Sequence, residues 1–183
     1  MRIALASDHA AVEMKKAIFD RLIELGHEPV DLGPTDGTSV DYPDFAQLVC
    51  HTIQRGDADA GILLCGSGIG MSMAANKYPG IRAALCFNRY MSTMTRLHND
   101  ANVLCLGERV IGLGTALEIV EGFVSTEFEG GRHQYLAPCP ADYFCIQGSP
   151  KSSRDAPVAA TYTHPAINTA DTLLTWSGST SSG

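Results

Sequence analysis

Five short apolar runs of β type, each followed by a stretch with helical spacing, govern what this chain can fold into. "RIALAS" precedes a segment with Met14, Ile18, Leu22 and Leu25 at helical spacing, and Gly26 then suits a helix C′ position. The order recurs four times: "HEPVDL" with a helix opening at Pro43, "AGILLC" with a helix after Gly68, "IRAALC" with a helix through Thr95, and "NVLCLG" with a helix over about Thr115–Thr126. Parallel strands need crossovers, and the crossover helices cover both faces of the sheet. The fold expected is therefore α/β, a three-layer sandwich around a central parallel sheet of about five strands. In such sheets ligands bind beyond the C-terminal strand ends. That rule singles out Asp8 and His9 after the first strand, Cys65 to Gly70 after the third and Arg109 after the fifth. His98 and Asn99 end a helix, so the rule does not place them at that edge.

The chain has 183 residues, 45% of them hydrophobic, enough for one domain with a substantial core. Composition shifts at about Pro138 to a Ser-, Thr-, Pro- and Ala-rich stretch without periodicity, so the expected division is a domain over 1–136 and an irregular C-terminal tail over 137–183. The formal net charge of -7 argues against a nucleic-acid partner, which would require clustered Lys and Arg. A small anionic ligand remains compatible, through a few local cations. No apolar run is long enough to span a membrane and no signal-peptide pattern follows Met1, so a cytoplasmic protein with no membrane partner is expected. The six cysteines, at 50, 65, 86, 105, 139 and 145, show no metal-ligand spacing and read mostly as small core hydrophobes.

Cys65 stands apart because it lies between an apolar strand and the turn "GSGIG". Such a turn presents backbone N–H groups to negative charge. A dinucleotide site would want G-x-G-x-x-G, but the third glycine position holds Met71. A Walker loop would need G-K-[ST], and a cysteine phosphatase an arginine where Met71 again stands. A thiol beside an oxyanion site, with Ser67 two residues on, suits proton abstraction next to a carbonyl. Taken singly, each feature also has a plainer reading. "GSGIG" can be a simple turn, Cys65 a core residue, Asp8 a helix cap, His98 a helix-end histidine, Asn99 and Asp100 turn residues, and Arg132 with His133 a solvated segment.

In combination, "SDHAA", "VDYPDFA", "GILLCGSGIGMSMAANKYPGIRAAL", "RLHNDANVLCLGERV" and "EGGRH", in this order, closely resemble the ribose-5-phosphate isomerase B family, part of a wider sugar-phosphate isomerase group. The resemblance covers about residues 1–134. It implies a Rossmann-like sheet, interconversion of ribose 5-phosphate and ribulose 5-phosphate in the pentose phosphate pathway, no metal or organic cofactor, and a homodimer or dimer of dimers with the site built across a subunit boundary. It assigns proton abstraction to Cys65, a proton relay between O1 and O2 to Ser67, and opening of the furanose ring to His98. Asp8 and His9 match the pair meeting the sugar and phosphate, and Asn99, Arg109 and Arg132 match further substrate-binding positions. Asp41 and Tyr42 line the pocket, and Gly66, Ser67, Gly68, Ile69 and Gly70 offer N–H groups to the oxyanion.

One departure is visible. Bacterial members commonly carry a second phosphate-gripping arginine four residues after the one matching Arg132, and here that position is Leu136. His9, Arg109, Arg132 and His133 remain as phosphate donors, and the segment after Leu136 is expected to pack on the same or the partner subunit without supplying Lys151 or Arg154 to the phosphate. Three other readings stay open: an isomerase of allose or galactose 6-phosphate, a non-catalytic subunit paralogue, and a cysteine nucleophile for acyl or phosphoryl transfer.

Overall fold

The computed structural model describes residues 1–135. The expectations for Leu136, for the boundary at 136 and 137, and for Cys139, Cys145, Lys151 and Arg154 lie outside the described residues. Within them the strands are β1 (Arg2–Ser7), β2 (Glu28–Asp31), β3 (Ala60–Cys65), β4 (Ala83–Leu85) and β5 (Val103–Gly107). The helices are α1 (Val12–Glu24), α2 (Tyr42–Gln54), α3 (Ile69–Ala75), α4 (Arg89–Asn99) and α5 (Leu113–Val124), followed by a 3-10 turn over Gly131–Tyr135.

All five strands are parallel and lie in the order β2-β1-β3-β5-β4. The chain thus winds one way from β1 to β2 and the other way from β3 onward, which makes the β1/β3 boundary the topological switch point.

Alternation along the strands separates two cores. Ile3, Leu5, Ile62, Leu64, Leu104 and Leu106 face α1 and α5, meeting Met14, Ile18, Leu22, Ile119 and Phe123. Ala4, Ala6, Leu63, Cys65, Val103 and Cys105 face α2 and α3, meeting Val49, Cys50, Met71 and Ala75. Small residues dominate the second face because α2 approaches closely: a Cβ at Gly61 would lie 2.5 Å from Val49 Cγ1. The edge strand β4 is shielded by a side chain, since Asn76 donates from Nδ2 to the Ala83 carbonyl and accepts from the Ala83 N–H.

Two boundaries differ from the sequence reading. Leu25 does not extend the buried stripe of α1; it follows the helix as its C-cap and is 36% exposed, while Gly26 adopts the left-handed conformation expected of it. Helix α5 begins at Leu113, ahead of the expected Thr115, because Gly112 takes the extended N-cap conformation.

Lys15 is the one fully buried cationic side chain among the described residues. Its ammonium donates to Asp31 Oδ1 and, at 2.7 Å, to the Pro34 carbonyl, so it joins α1 to the end of β2 and to the loop that leads toward Tyr42. Removing one partner of a buried pair leaves the other uncompensated. Asp31→Asn, which leaves the buried Lys15 ammonium without its countercharge, is expected to destabilise the fold by about 3 kcal/mol, measured as a shift of the urea midpoint at fixed protein concentration. An unchanged midpoint would show that the ion pair contributes nothing net.

Candidate active site

At the C-terminal edge of the sheet, beside the switch point, a cleft of about 370 Å³ is lined by Asp8, Tyr42, Cys65, Gly66, Ser67, Gly70, Arg109 and Val110. Asp8 follows β1, Tyr42 opens α2, Cys65, Gly66, Ser67 and Gly70 belong to the passage from β3 into α3, and Arg109 and Val110 follow β5. Cys65 is the last residue of β3, and the chain turns so sharply after it that Gly68 must adopt φ +78°. That turn brings the Gly68 N–H to 3.0 Å from Cys65 Sγ, so the sulfur accepts a backbone hydrogen bond and is held in place.

The turn and the end of β5 are in close contact. A Cβ on Gly107 would stand 2.5 Å from the Ser67 carbonyl carbon, and one on Gly68 would stand 2.9 Å from the Leu106 carbonyl carbon. Backbone hydrogen bonds from Glu108 to the Cys65 carbonyl and from Arg109 to the Gly66 carbonyl, both 3.0 Å, tie the two loops together. The Arg109 side chain then lies across Gly66, with its Cδ, Nε and Cζ at 3.4 to 3.6 Å from where a Cβ would be. On the other wall, the Tyr42 ring rests on Gly70, whose Cβ would fall 2.9 Å from Tyr42 Cζ.

Asp8 does not cap α1, whose N-cap is Ala11. Its Oδ1 accepts from the Ala10 N–H at 2.8 Å, an Asx turn that holds the β1–α1 loop at the cleft, and its own N–H is bonded to the Leu64 carbonyl of β3. Of the five N–H groups expected to face an oxyanion, two are engaged within the turn: that of Gly68 with the Cys65 sulfur, and that of Ile69 with Ser67 Oγ at 3.3 Å. Those of Gly66, Ser67 and Gly70 have no protein acceptor among the described residues.

The remaining cysteines are different. Burial pushes the Cys50 and Cys86 thiols up to about 11, and burial raises that of Cys105 well above its ordinary value, with the neighbouring thiols adding to it. These three are core residues, as their composition suggested, whereas Cys65 lines the cleft.

Several expected site residues are not at this cleft. His9 is exposed in the β1–α1 loop and is not among the lining residues, and neither are Gly68 and Ile69. Asp41 is the exposed residue preceding α2. His98 and Asn99 end α4, which starts beyond β4 and runs back to the edge of the sheet where β5 begins, so they lie at the opposite edge from Cys65. Asn99 belongs to a separate cavity of about 400 Å³ with Arg82 and Asn76, its carbonyl accepting from Arg82 Nε at 2.6 Å. Arg132 and His133 follow α5 and reach that same edge, where the His133 ring stacks on His98 at a centroid distance of 4.3 Å.

Two residues at these places escaped the sequence reading. Val110 lines the cleft beside Arg109, and Glu129 stands between His98 and His133. Glu129 had a signal, since it opens "EGGRH" four residues before His133; Val110 had none beyond its adjacency to Arg109. A wider cleft of about 470 Å³ between α1 and the start of α5 includes Glu13, Asp20 and Glu108 with a single cation, Lys16, a poor match to an anion.

Comparison with known proteins identifies the family. Residues 3–136 match the family model described as Ribose/Galactose Isomerase. The chain is 44% identical over 133 residues to ribose-5-phosphate isomerase B of Escherichia coli, covering 73% of this chain and 89% of that protein. Among solved structures, ribose-5-phosphate isomerase B of Clostridium thermocellum superposes with a TM-score of 0.73 at 50% identity, over 75% of this chain and 93% of that one. Type B ribose 5-phosphate isomerase of Trypanosoma brucei gives a TM-score of 0.73 at 49% identity, over 74% and 93%. With a family model spanning most of its length and relatives this similar, the chain belongs to the ribose/galactose isomerase family.

Proposed function

We propose that this protein interconverts D-ribose 5-phosphate and D-ribulose 5-phosphate through an enediolate. The observation that carries the reading is a sulfur held by the Gly68 N–H at the mouth of a cleft that also presents Ser67, Asp8 and Arg109. Moving a carbonyl from C1 to C2 requires a base for a weakly acidic C–H proton and donors already aimed at the oxygen that becomes negative. Cys65 as thiolate takes the proton from C2 of the open-chain aldose. The electron pair of the C–H bond becomes the enediolate, whose oxygens meet the free N–H groups of Gly66, Ser67 and Gly70. Ser67 Oγ passes a proton between O1 and O2, and Cys65 returns its proton to C1, giving the ketose.

Among the described residues two parts of this machinery are missing at the cleft: an acid for the ring oxygen and enough positive charge for a phosphate dianion, for which Arg109 is the only cation among the described residues lining it. Both lie at the far edge, as His98 and Arg132. A homodimer that sets the His98 edge of one subunit against the Cys65 edge of its partner completes the site. This arrangement is supported by exposed apolar side chains around the cleft edge, among them Ile69, Met73, Phe87, Tyr90 and Val110, which a second copy would cover. His9 and His133 then flank the phosphate with Arg109 and Arg132, and Asn99 meets the sugar.

Three outcomes test the reading. Cys65→Ala should lower turnover of ribose 5-phosphate by about a hundredfold to ten-thousandfold with little change in binding, in a coupled assay that also scores allose 6-phosphate and galactose 6-phosphate; near wild-type turnover would remove Cys65 from the mechanism. Arg132→Ala should raise the Michaelis constant by about tenfold to a hundredfold, more than it lowers kcat, because it removes a charge-assisted donor to phosphate. An unaltered Michaelis constant would place the phosphate elsewhere. Finally, at pH 8 iodoacetamide should label Cys65 ahead of Cys50, Cys86 and Cys105, and ribose 5-phosphate should protect it. Thiols raised to about 11 or higher stay protonated at that pH and become thiolates only as the pH climbs through the raised value. Peptide mapping that finds Cys50 or Cys86 labelled first would contradict this.

A further inference from the structure

The edge of the molecule that carries His98 holds a cluster with an internal logic. Helix α4 and the segment after α5 are joined by two hydrogen bonds: the Arg96 side chain donates from Nε to the Thr126 carbonyl at 3.2 Å, and the Glu129 N–H donates to the Leu97 carbonyl at 3.2 Å. Gly130 and Gly131 then both take left-handed conformations, φ +66° and +58°, which turn the chain back over the end of α4. That reversal lays the His133 ring flat on His98, with an interplanar angle of 9°. Glu129 Oε1 lies 3.1 Å from His133 Nε2 and 3.7 Å from His98 Nε2. His133 is largely covered, whereas the His98 side chain is 40% exposed.

Two imidazoles and a carboxylate with ligand atoms within 4.8 Å of one another could suggest a metal. Two features argue otherwise. The ring planes are parallel, so their in-plane lone pairs run side by side instead of converging on a point. Arg132 Nε also lies 3.3 Å from His133 Nε2, a cation where a metal would have to stand. The cluster is shaped for protons. His133 Nε2 cannot both accept from Arg132 and donate to Glu129; the shorter, carboxylate contact assigns it the Nε2–H tautomer, with Arg132 alongside as a countercharge to Glu129.

We infer that Glu129 is a positioning residue for ring opening: by holding His133 through Nε2–H, it fixes the face on which His98 rests. This rests on the isomerase reading above. The 3.7 Å gap leaves His98 Nε2–H short of a hydrogen bond to Glu129 and available to a ring oxygen. In the step it serves, the C1–O4 bond of the furanose breaks, O4 takes the His98 proton, the C1 hydroxyl releases its own proton to water as C1=O forms, and solvent reprotonates His98.

The test separates ring opening from enediolate chemistry. Ribulose 5-phosphate cannot close into a furanose, so exchange of its C1 proton with D₂O needs Cys65 but not an acid for the ring. Glu129→Gln should lower kcat/KM for ribose 5-phosphate about tenfold to a hundredfold while C1 exchange stays within about twofold. Glu129→Asp, which keeps the carboxylate one methylene shorter, should lose less than Glu129→Gln, again with C1 exchange within about twofold. Equal losses in both assays would mean a merely structural role, and unchanged ribose 5-phosphate turnover would mean no role; either overturns the inference. Wild-type enzyme that neither turns over ribose 5-phosphate nor exchanges the C1 proton would instead overturn the isomerase reading, and this inference with it.

Discussion

The close approach of the β3–α3 turn to the end of β5 is the constraint on which the cleft depends. Neither Gly68 nor Gly107 has room for a side chain, because the backbone of each loop occupies the space a Cβ would need against the other. The contact has chemical consequences at three places. It forces the left-handed residue that aims the Gly68 N–H at Cys65 Sγ, it brings Arg109 across Gly66, and it leaves the N–H groups of Gly66 and Ser67 without internal partners. A turn one methyl wider would lose the sulfur's donor and displace the guanidinium together. The Tyr42 ring on Gly70 repeats the device on the opposite wall, with an aromatic face in place of a backbone.

The same winding that builds this edge empties it of other groups. In a parallel α/β sheet each strand ends where its following helix begins, so residues at helix C-termini return to the opposite edge. His98 at the end of α4 and Arg132 beyond α5 are carried there by topology, and no local rearrangement of the described residues could bring them to Cys65. An isomerase that uses both sets of groups, as proposed above, would draw them from two copies. On that proposal one edge would deprotonate carbon and stabilise the oxyanion, and the other would handle the ring oxygen and add positive charge.

How much of this was legible in the sequence differs from element to element. The strands and helices were readable because the sheet is buried on both faces and each helix carries a period that cannot be mistaken, with Met14, Ile18 and Leu22 as an example. Helix ends were less so: Leu25 continued the period by spacing alone, yet the backbone had already turned toward Gly26. Cys65 could be singled out because a thiol between an apolar strand and "GSGIG" had few other uses. What spacing could not show was distance across the fold. The five N–H groups of the turn looked equivalent in sequence, but two of them are consumed by Sγ and Ser67 Oγ, an outcome decided by the conformation of Gly68. Glu129 was overlooked because a carboxylate in "EGGRH" reads as a solvated charge until the two glycines fold His133 back over it.

Charge gives the last step. The chain carries 13 basic and 20 acidic residues and yet is suited to a phosphate dianion, so its long-range field opposes the ligand it must hold. At physiological ionic strength that field is screened within about 8 Å, and what remains is decided by groups in direct contact. Those groups are few and divided: Arg109 at the cleft with His9 in the adjoining loop, Arg132 and the paired His98 and His133 at the far edge. Separately, neither edge concentrates enough positive charge to outweigh the surrounding carboxylates. In the proposed homodimer each cleft would gain a guanidinium and an imidazole that the lone subunit keeps at its other end. The proposed association of subunits would thus do for the electrostatics of the site what the β3–α3 turn does for its geometry.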